Sequence, residues 1–396
     1  LKAYTTADAD RLGMFFNALY FGHGRQYDVG MTVTAADFLS VDGRFALSTA
    51  ARTVSLSNGK SVKTVAWLIG GRQLNAFVGL NGPYRIDSNH DGSLEDEARN
   101  PHAAGFELAG LDIALALHQD LEPPAGTTAR SWLSASATAA TATEVGLPLI
   151  DATASKLALE LNLGRDGTVV DYGHETLSVP LSSDATQSRT LNFEGSRGTL
   201  IRASADLSID VDSFFHVQGS MGFERSDHEL TLADGGTVRV KTLNFGGENL
   251  DAFVGVNNVG LSLKKLDFGL VLAAPTAEAE AELQGLNWVA LKARAGEVAA
   301  VGIPNITLAA RDLSVDLNLV AGVPDGVDAD QRVIDFMAEG AEPYRVTTGT
   351  GSSITLDMPG SSGMLARAGG TMDVRLGNFF EFSGSMGLEH RAQTVT

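Results

Sequence analysis

The stretch RASADLSIDVD (residues 202–212) alternates between small or apolar and polar side chains over its whole length. A period of two residues is typical of an extended strand with one buried face and one face in water. The stretches KLALELNL (156–163) and LSVDLNL (313–319) repeat this pattern, and turn-forming segments such as SNG (57–59) and ADGG (233–236) lie between such runs. The chain is therefore predicted to be all-β, built from half-buried strands.

Only two segments favour helix. TTADADRLGMFFNAL (5–19) has Thr6 or Asp8 as a cap and places Leu12, Phe15, Phe16 and Leu19 on one side. APTAEAEAELQGL (274–286) is the weaker of the two. We expect these helices to be minor additions to a β-structure.

Internal repetition organises the sequence. LSVDGRFALS (39–48) aligns with FHVQGSMGFE (215–224) and FEFSGSMGLE (380–389), and LNAFVGLN (74–81) aligns with LDAFVGVN (250–257). Several anchors in one order indicate tandem units. The predicted parts are the end of a preceding unit (1–36), one unit (37–212), a second unit (213–377) and the first strand of a third (378–396), within a longer parent protein.

The repeat leaves two architectures open. One is an elongated β-solenoid-like or curved continuous sheet array, in which unit stacks on unit. The alternative is a row of tandem β-sandwiches. No Gly/Ser-rich or Pro-rich linker separates the units, and this absence favours the continuous array.

Composition limits the partners. The formal charge of −19 and the pI of about 4.7 argue against a nucleic-acid partner, which requires clustered Lys and Arg. The apolar runs are too short for a transmembrane helix, so no membrane span is expected. The absence of cysteine excludes disulfides and thiolate metal sites. This acidic, glycine-rich composition suits an extracellular or cell-surface bacterial protein.

The unit at 37–212 carries an insertion at about 82–104, and within it lies the acidic stretch RIDSNHDGSLEDEA (85–98). Counted from Asp87, acidic or amide side chains occupy positions 1, 3 and 5, with Gly92 at position 6. Alternate hard oxygen ligands around a glycine turn suit Ca²⁺. The predicted metal ligands are Asp87, Asn89, Asp91, Ser93, Glu95 and Glu97. DGVDAD (325–330) is a poorer second candidate.

The loop resembles the calcium loop of EF-hand and dockerin proteins over about a dozen residues, but Ala98 stands where that pattern has an acid. The resemblance implies Ca²⁺ as the cofactor, with Glu97 or Asp96 closing the coordination shell. As a whole, the chain resembles the long β-rich repeats of giant secreted bacterial adhesin-like proteins. That resemblance rests on the repeat, on NAFVGLNG (75–82) with its partner at 251–258, and on the acidic loop.

No catalytic motif stands out, so no enzyme activity is predicted. DYGHE (171–175) and RSDHE (225–229) group acids with a histidine, but they are interpreted as exposed turns. Trp132 and Trp288 occupy equivalent places in the two units and are interpreted as structural anchors, while Trp67 is assigned to the core.

Three functional hypotheses remain at this stage. The leading one is a non-catalytic structural segment, a stalk, filament or surface coat, stabilised locally by calcium and by neighbouring repeats or further copies. The second is a calcium-dependent module that binds carbohydrate, such as surface glycans, or another surface. The third is the repeat region of a hydrolase or toxin whose catalytic part lies elsewhere.

Overall fold

A computed structural model describes residues 26–391, apart from 36–38, 83, 86–96, 124–125, 127–128, 165–166, 185 and 212–213. The described residues are strands, turns and four short 3₁₀ helices, with no α-helix among them. The all-β prediction is therefore confirmed. The chain divides into two compact units, unit 1 (Leu1–Ile201) and unit 2 (Arg202–Thr396).

The described residues of unit 1 form eight complete strands and the start of a ninth. These are β1 (Gln26–Ala35), β2 (Leu39–Ser55), β3 (Ser61–Leu80), β4 (Ala104–Asp120), β5 (Ser131–Val145), β6 (Ile150–Gly164), β7 (Leu177–Pro180) and β8 (Ser188–Leu191), followed by a 3₁₀ turn (Gly195–Arg197) and β9 (Leu200–Val211), which continues into unit 2.

Unit 2 continues with nine further strands in a matching order. These are β10 (Phe215–Thr231), β11 (Thr237–Val256), β12 (Val259–Pro275), β13 (Asn287–Val301), β14 (Ile306–Ala321), β15 (Arg345–Gly349), β16 (Ser352–Thr355), β17 (Leu365–Leu376) and β18 (Phe380–Arg391). Its 3₁₀ helices are Ala281–Leu283, Ala329–Arg332 and Gly360–Ser362.

Fourteen strands form one antiparallel sheet in the order β1-β2-β3-β4-β5-β6-β9-β10-β11-β12-β13-β14-β17-β18, and this sheet does not close on itself. The remaining strands form two separate hairpins, β7-β8 and β15-β16. The strands are long, up to 20 residues in β3 and β11. Several are bent near their middle by bulges, as at Gly71/Leu74 and Gly247/Leu250.

In each unit, the segment that carries the small hairpin packs over one face of the sheet. We call it the covering segment, residues 167–184 and 186–199 in unit 1 and 322–364 in unit 2. It contributes Val179 and Leu191 to the core of unit 1, and Val346 and Leu356 to that of unit 2. The approach is close, since a Cβ added at Gly70 would overlap the carbonyl oxygen of Pro180. A Cβ at Gly246 would overlap that of Thr347 in the same way.

The covering segment overturns one expectation about the faces of the strands. In LSVDLNL (313–319), the polar positions Asp316 and Asn318 are only 4% and 0% exposed, whereas Leu313 and Leu317 are partly exposed. The face predicted to be wet is buried because the covering segment and β17 supply its polar partners. Asn318 Nδ2 donates to the Ile334 carbonyl at 2.7 Å, and Asp316 pairs with Arg367 at 2.7 Å.

The two helix predictions have different outcomes. The segment 5–19 lies outside the described residues. The weaker prediction at 274–286 is wrong: β12 runs to Pro275, and the only helical turn there is Ala281–Leu283. Leu283, the last residue of this turn, and Leu286, which follows it, enter the core of unit 2.

Candidate functional site

The insertion that carries the acidic stretch joins β3 to β4, whereas the two residues Asn257 and Asn258 make the equivalent connection between β11 and β12. Both asparagines have positive φ, 52° and 62°, as a tight hairpin turn requires. Unit 1 therefore carries an elaborated loop where unit 2 has a minimal turn. Of the predicted ligands, Asp87, Asn89, Asp91, Ser93 and Glu95 lie outside the described residues.

The base of this loop is well defined. Arg85 and Arg99 form an antiparallel bridge, and the Asn100 amide donates to the Tyr84 carbonyl at 2.7 Å. The side chain of Asn100 donates to the Asn81 carbonyl at 2.8 Å. Glu97, the sixth predicted ligand, is 8% exposed just inside the bridge. The two ends of the loop are thus held together, as a short cation-binding loop requires.

Charge at the base is balanced by local contacts. Arg85 Nε donates to Glu107 Oε1 at 2.8 Å. The guanidinium groups of Arg85 and Arg99 lie 5.8 Å and 5.9 Å from the centre of the Tyr84 ring. Glu107 thus compensates part of the positive charge at the base.

Elsewhere, the structure offers little for a metal. In the described part of the chain, no three His, Asp or Glu side chains come together as a metal-binding group. The second candidate, DGVDAD (325–330), uses its carboxylates to cap backbone. Asp328 Oδ1 accepts from the Asp330 amide at 3.0 Å, and Asp330 Oδ1 accepts from the Met364 amide at 2.8 Å.

A buried polar chain in unit 1 was not predicted from the sequence. Thr64 Oγ1 lies 3.1 Å from His118 Nδ1, and His118 Nε2 lies 3.2 Å from the Tyr172 hydroxyl. Tyr172 donates to Ser134 Oγ at 3.0 Å, and Ser134 donates to Asn162 Oδ1 at 2.9 Å. These side chains link β3, β4, β5 and β6 to the covering segment. The sequence does contain one indication of this cluster. In LDIALALHQD (111–120), a histidine stands at a position where the apolar pattern of the strand would lead one to expect an apolar side chain.

Burial determines the pKa values of the two titratable groups in this buried polar chain. Burial lowers the pKa of His118 to about 4, and the positive charge of Arg52 adds to the effect. Burial also raises the pKa of the Tyr172 hydroxyl far above its usual value. At neutral pH both groups are uncharged. A cavity of about 30 Å³ beside them is lined by Arg52, His118, Asp171, Tyr172 and Glu175 among others; that is room for about one water molecule.

The two candidate catalytic stretches have structural roles. In DYGHE, Asp171 Oδ1 accepts from the amides of Gly173 and Gly195 at 3.0 Å and 2.9 Å, which fixes a turn. RSDHE is not a turn, contrary to the prediction, but lies inside β10. There Ser226 donates to Glu224 Oε1 at 2.6 Å and lies 2.9 Å from His228 Nε2. Because Ser226 is fully buried, its hydroxyl cannot meet a substrate.

The tryptophans occupy two kinds of site. Trp132 and Trp288 are each 1% exposed and lie under the covering segments, as predicted for structural anchors. Trp132 Nε1 donates to Thr168 Oγ1 at 3.2 Å, and Trp288 Nε1 donates to the Arg332 carbonyl at 2.6 Å. Trp67 was assigned to the core but is only partly buried, on the opposite face of β3.

No family model matches the chain, and no curated protein or solved structure is similar to it. Among the described residues, no helix is long and apolar enough to cross a membrane.

Proposed function

We propose that this chain is a non-catalytic structural segment of a large extracellular bacterial protein, such as a stalk, filament or surface coat. The observation that carries the proposal is the matching order of elements: five long strands, a covering segment with a small hairpin, and a further long strand occur in both units. A scaffold of this kind extends by adding units to a sheet edge.

Matching contacts inside the two units support the same proposal. Asn162 Nδ2 donates to the Val170 carbonyl at 2.8 Å, as Asn318 does to Ile334. The bridge between Leu56 and Val170 has its counterpart between Leu232 and Ile334. The repeated contacts are thus those that fix the covering segment, whereas the reactive side chains differ between units. This pattern favours a scaffold over an enzyme.

Electron microscopy of the purified chain in calcium and in chelator tests the scaffold. We expect elongated particles in calcium, because units added edge to edge extend the sheet in one direction. Chelator is expected to shorten or kink them near the insertion. Compact particles that do not respond to calcium would contradict the array.

We also propose that the insertion holds one Ca²⁺ through Asp87, Asn89, Asp91, Ser93, Glu95 and Glu97. The closed base at Arg85 and Arg99, together with the near-complete burial of Glu97, supports this proposal. The metal would order the loop rather than fold the protein, because the insertion is an addition to a strand connection.

Calorimetric titration with Ca²⁺ measures this site. We expect one site with a dissociation constant of about 10⁻⁴ to 10⁻³ M, the range of extracellular modules. At about 1 mM Ca²⁺ and a constant near 10⁻⁴ M, binding adds about 1.4 kcal/mol to stability. Asp87→Asn with Asp91→Asn should abolish the heat of binding. The matched control, Asp325→Asn with Asp328→Asn, should leave it unchanged, and loss of binding in that control would move the site to 325–330.

A further inference from the structure

One face of the sheet in unit 2 carries apolar side chains that lie opposite the covered face. Leu243 in β11 and Leu272 in β12 are direct partners in the ladder and are 38% and 36% exposed. Phe245 and Leu270, the next pair on this face, are half-buried, and the rings of Phe223 and Phe245 lie 5.2 Å apart. Side chains of this size stand in an unbroken row across neighbouring strands.

The apolar face continues beyond the bulge in β11. A Cβ at Gly247 would lie 2.5 Å from a methyl group of Leu250, so Leu250 is on the same face as Leu243. Because side chains alternate along the strand, Val254 also lies on this face, together with its ladder partner Leu261. These two side chains are 40% and 48% exposed. Leu250 itself is only 6% exposed, so the exposed apolar pairs lie on either side of it. Exposed apolar patches in soluble proteins mark sites for a ligand or partner.

Charged side chains border this face at the β10–β11 end. Asp227 is paired in register with Lys241, Glu229 with Arg239, and Arg225 with Leu243. The border therefore has three cations against two carboxylates, although the whole chain carries a formal charge of −19. Arg239 Nη2 lies 4.0 Å from Asp227 Oδ2, and burial raises the pKa of Asp227. These three ladder rows of β10 and β11 thus carry a net charge of +1.

We propose that this face of unit 2 binds the alkyl chain of a fatty-acid-class amphiphile, whose carboxylate lies at Arg225 and Lys241. An alkyl chain that covers Leu243, Leu270 and Leu272 removes apolar surface from water, which is favourable, and it leaves no polar group unpaired. A carboxylate matches the positive border. A second copy of the chain would instead bring another −19 against the first, which opposes association.

The test is calorimetric titration of the full chain with dodecanoate and with dodecyltrimethylammonium, each below its micelle concentration. The two probes share an alkyl length and differ in the sign of the head group. We expect dodecanoate to bind about tenfold more tightly, and this preference to shrink as salt screens the border. Equal affinities would overturn the assignment of the carboxylate, and no binding would overturn the site.

Variants separate the two parts of the site. Leu243→Ser with Leu272→Ser should weaken dodecanoate binding by about tenfold or more, and Arg225→Gln with Lys241→Gln by about fivefold. The control Phe379→Ser removes a side chain that is 97% exposed in a turn, and it should change nothing. If the first pair loses the β-sheet signal in circular dichroism, the milder pair Leu243→Ala with Leu272→Ala replaces it.

Three further results would overturn the proposal. Unchanged binding in a folded variant of Leu243 and Leu272 would place the ligand elsewhere. A concentration-dependent dimer in sedimentation, lost in Leu243→Ser with Leu272→Ser, would assign the face to a second copy. Binding to vesicles of neutral lipid without binding to free dodecanoate would assign it to a bilayer surface.

Discussion

Replacement of Trp132 by alanine is expected to lower the free energy of unfolding of unit 1 by about 3–5 kcal/mol. The side chain is 1% exposed and belongs to the core that joins the sheet to the covering segment. Its loss leaves a cavity that the surrounding strands cannot close, because their ladder fixes the backbone spacing. It also leaves Thr168 Oγ1 without the indole donor. Urea unfolding followed by far-UV circular dichroism measures the change.

Trp288→Ala and Trp67→Ala provide the comparison. Trp288 has the same burial and the same kind of polar partner in unit 2, so a loss of similar size is expected there. Trp67 is partly exposed on the opposite face of β3, and we expect its removal to cost less than half as much. An equal loss in Trp67→Ala would show that the covering segment is not the main source of stability.

Much of the scaffold was predictable because its signal is local. The alternation in 202–212 matches β9, and that in 313–319 lies inside β14. The two deeply buried tryptophans were also predictable, since they recur at equivalent places. These features depend on the period of the strand and on repetition, both of which are visible in a single sequence.

Other features depend on partners that are distant in the chain. The polar face of LSVDLNL is buried because Ile334 and Arg367 reach it from the covering segment and β17. No local pattern in the sequence indicates such distant partners, so the prediction that this face is exposed to water was wrong. The buried polar chain of side chains that links Thr64 to Asn162 was not predicted for the same reason, since its members come from four strands and the covering segment. RSDHE was misread as a turn because charged residues can also line a strand beside a polar cluster.

Acidification is expected to destabilise unit 1 specifically. His118 has a pKa of about 4 in the folded protein and about 6.5 when unfolded, so between these values the unfolded state binds more protons. Stability is therefore complete above about pH 6.5 and falls as the pH drops towards 4. The shift corresponds to about 3 kcal/mol. The hydrogen-bond partners of the imidazole, Thr64 and Tyr172, are uncharged, while Arg52, Asp171 and Glu175 line the cavity beside it.

Unit 2 supplies the control for this effect. His118 is paired in register with Trp132, and Ala273 is paired in the same way with Trp288. Thr64, Ser134 and Tyr172 also have apolar counterparts, whereas Asn162 has its equivalent in Asn318. The matched variant is therefore Thr64→Val, His118→Ala, Ser134→Ala and Tyr172→Phe.

This variant should fold at pH 7, because its four new side chains are those that unit 2 has at the equivalent positions. There they are the buried residues Val240, Ala273, Ala290 and Phe336. Its free energy of unfolding, measured in urea at pH 7 and pH 4, should fall by about 3 kcal/mol less than that of the natural sequence. Equal losses in the two proteins would mean that carboxylates rather than His118 govern the acid response. Since the exchange leaves the repeated contacts of Asn162 and Trp132 in place, a smaller loss would assign the acid sensitivity to the side chains that differ between the units.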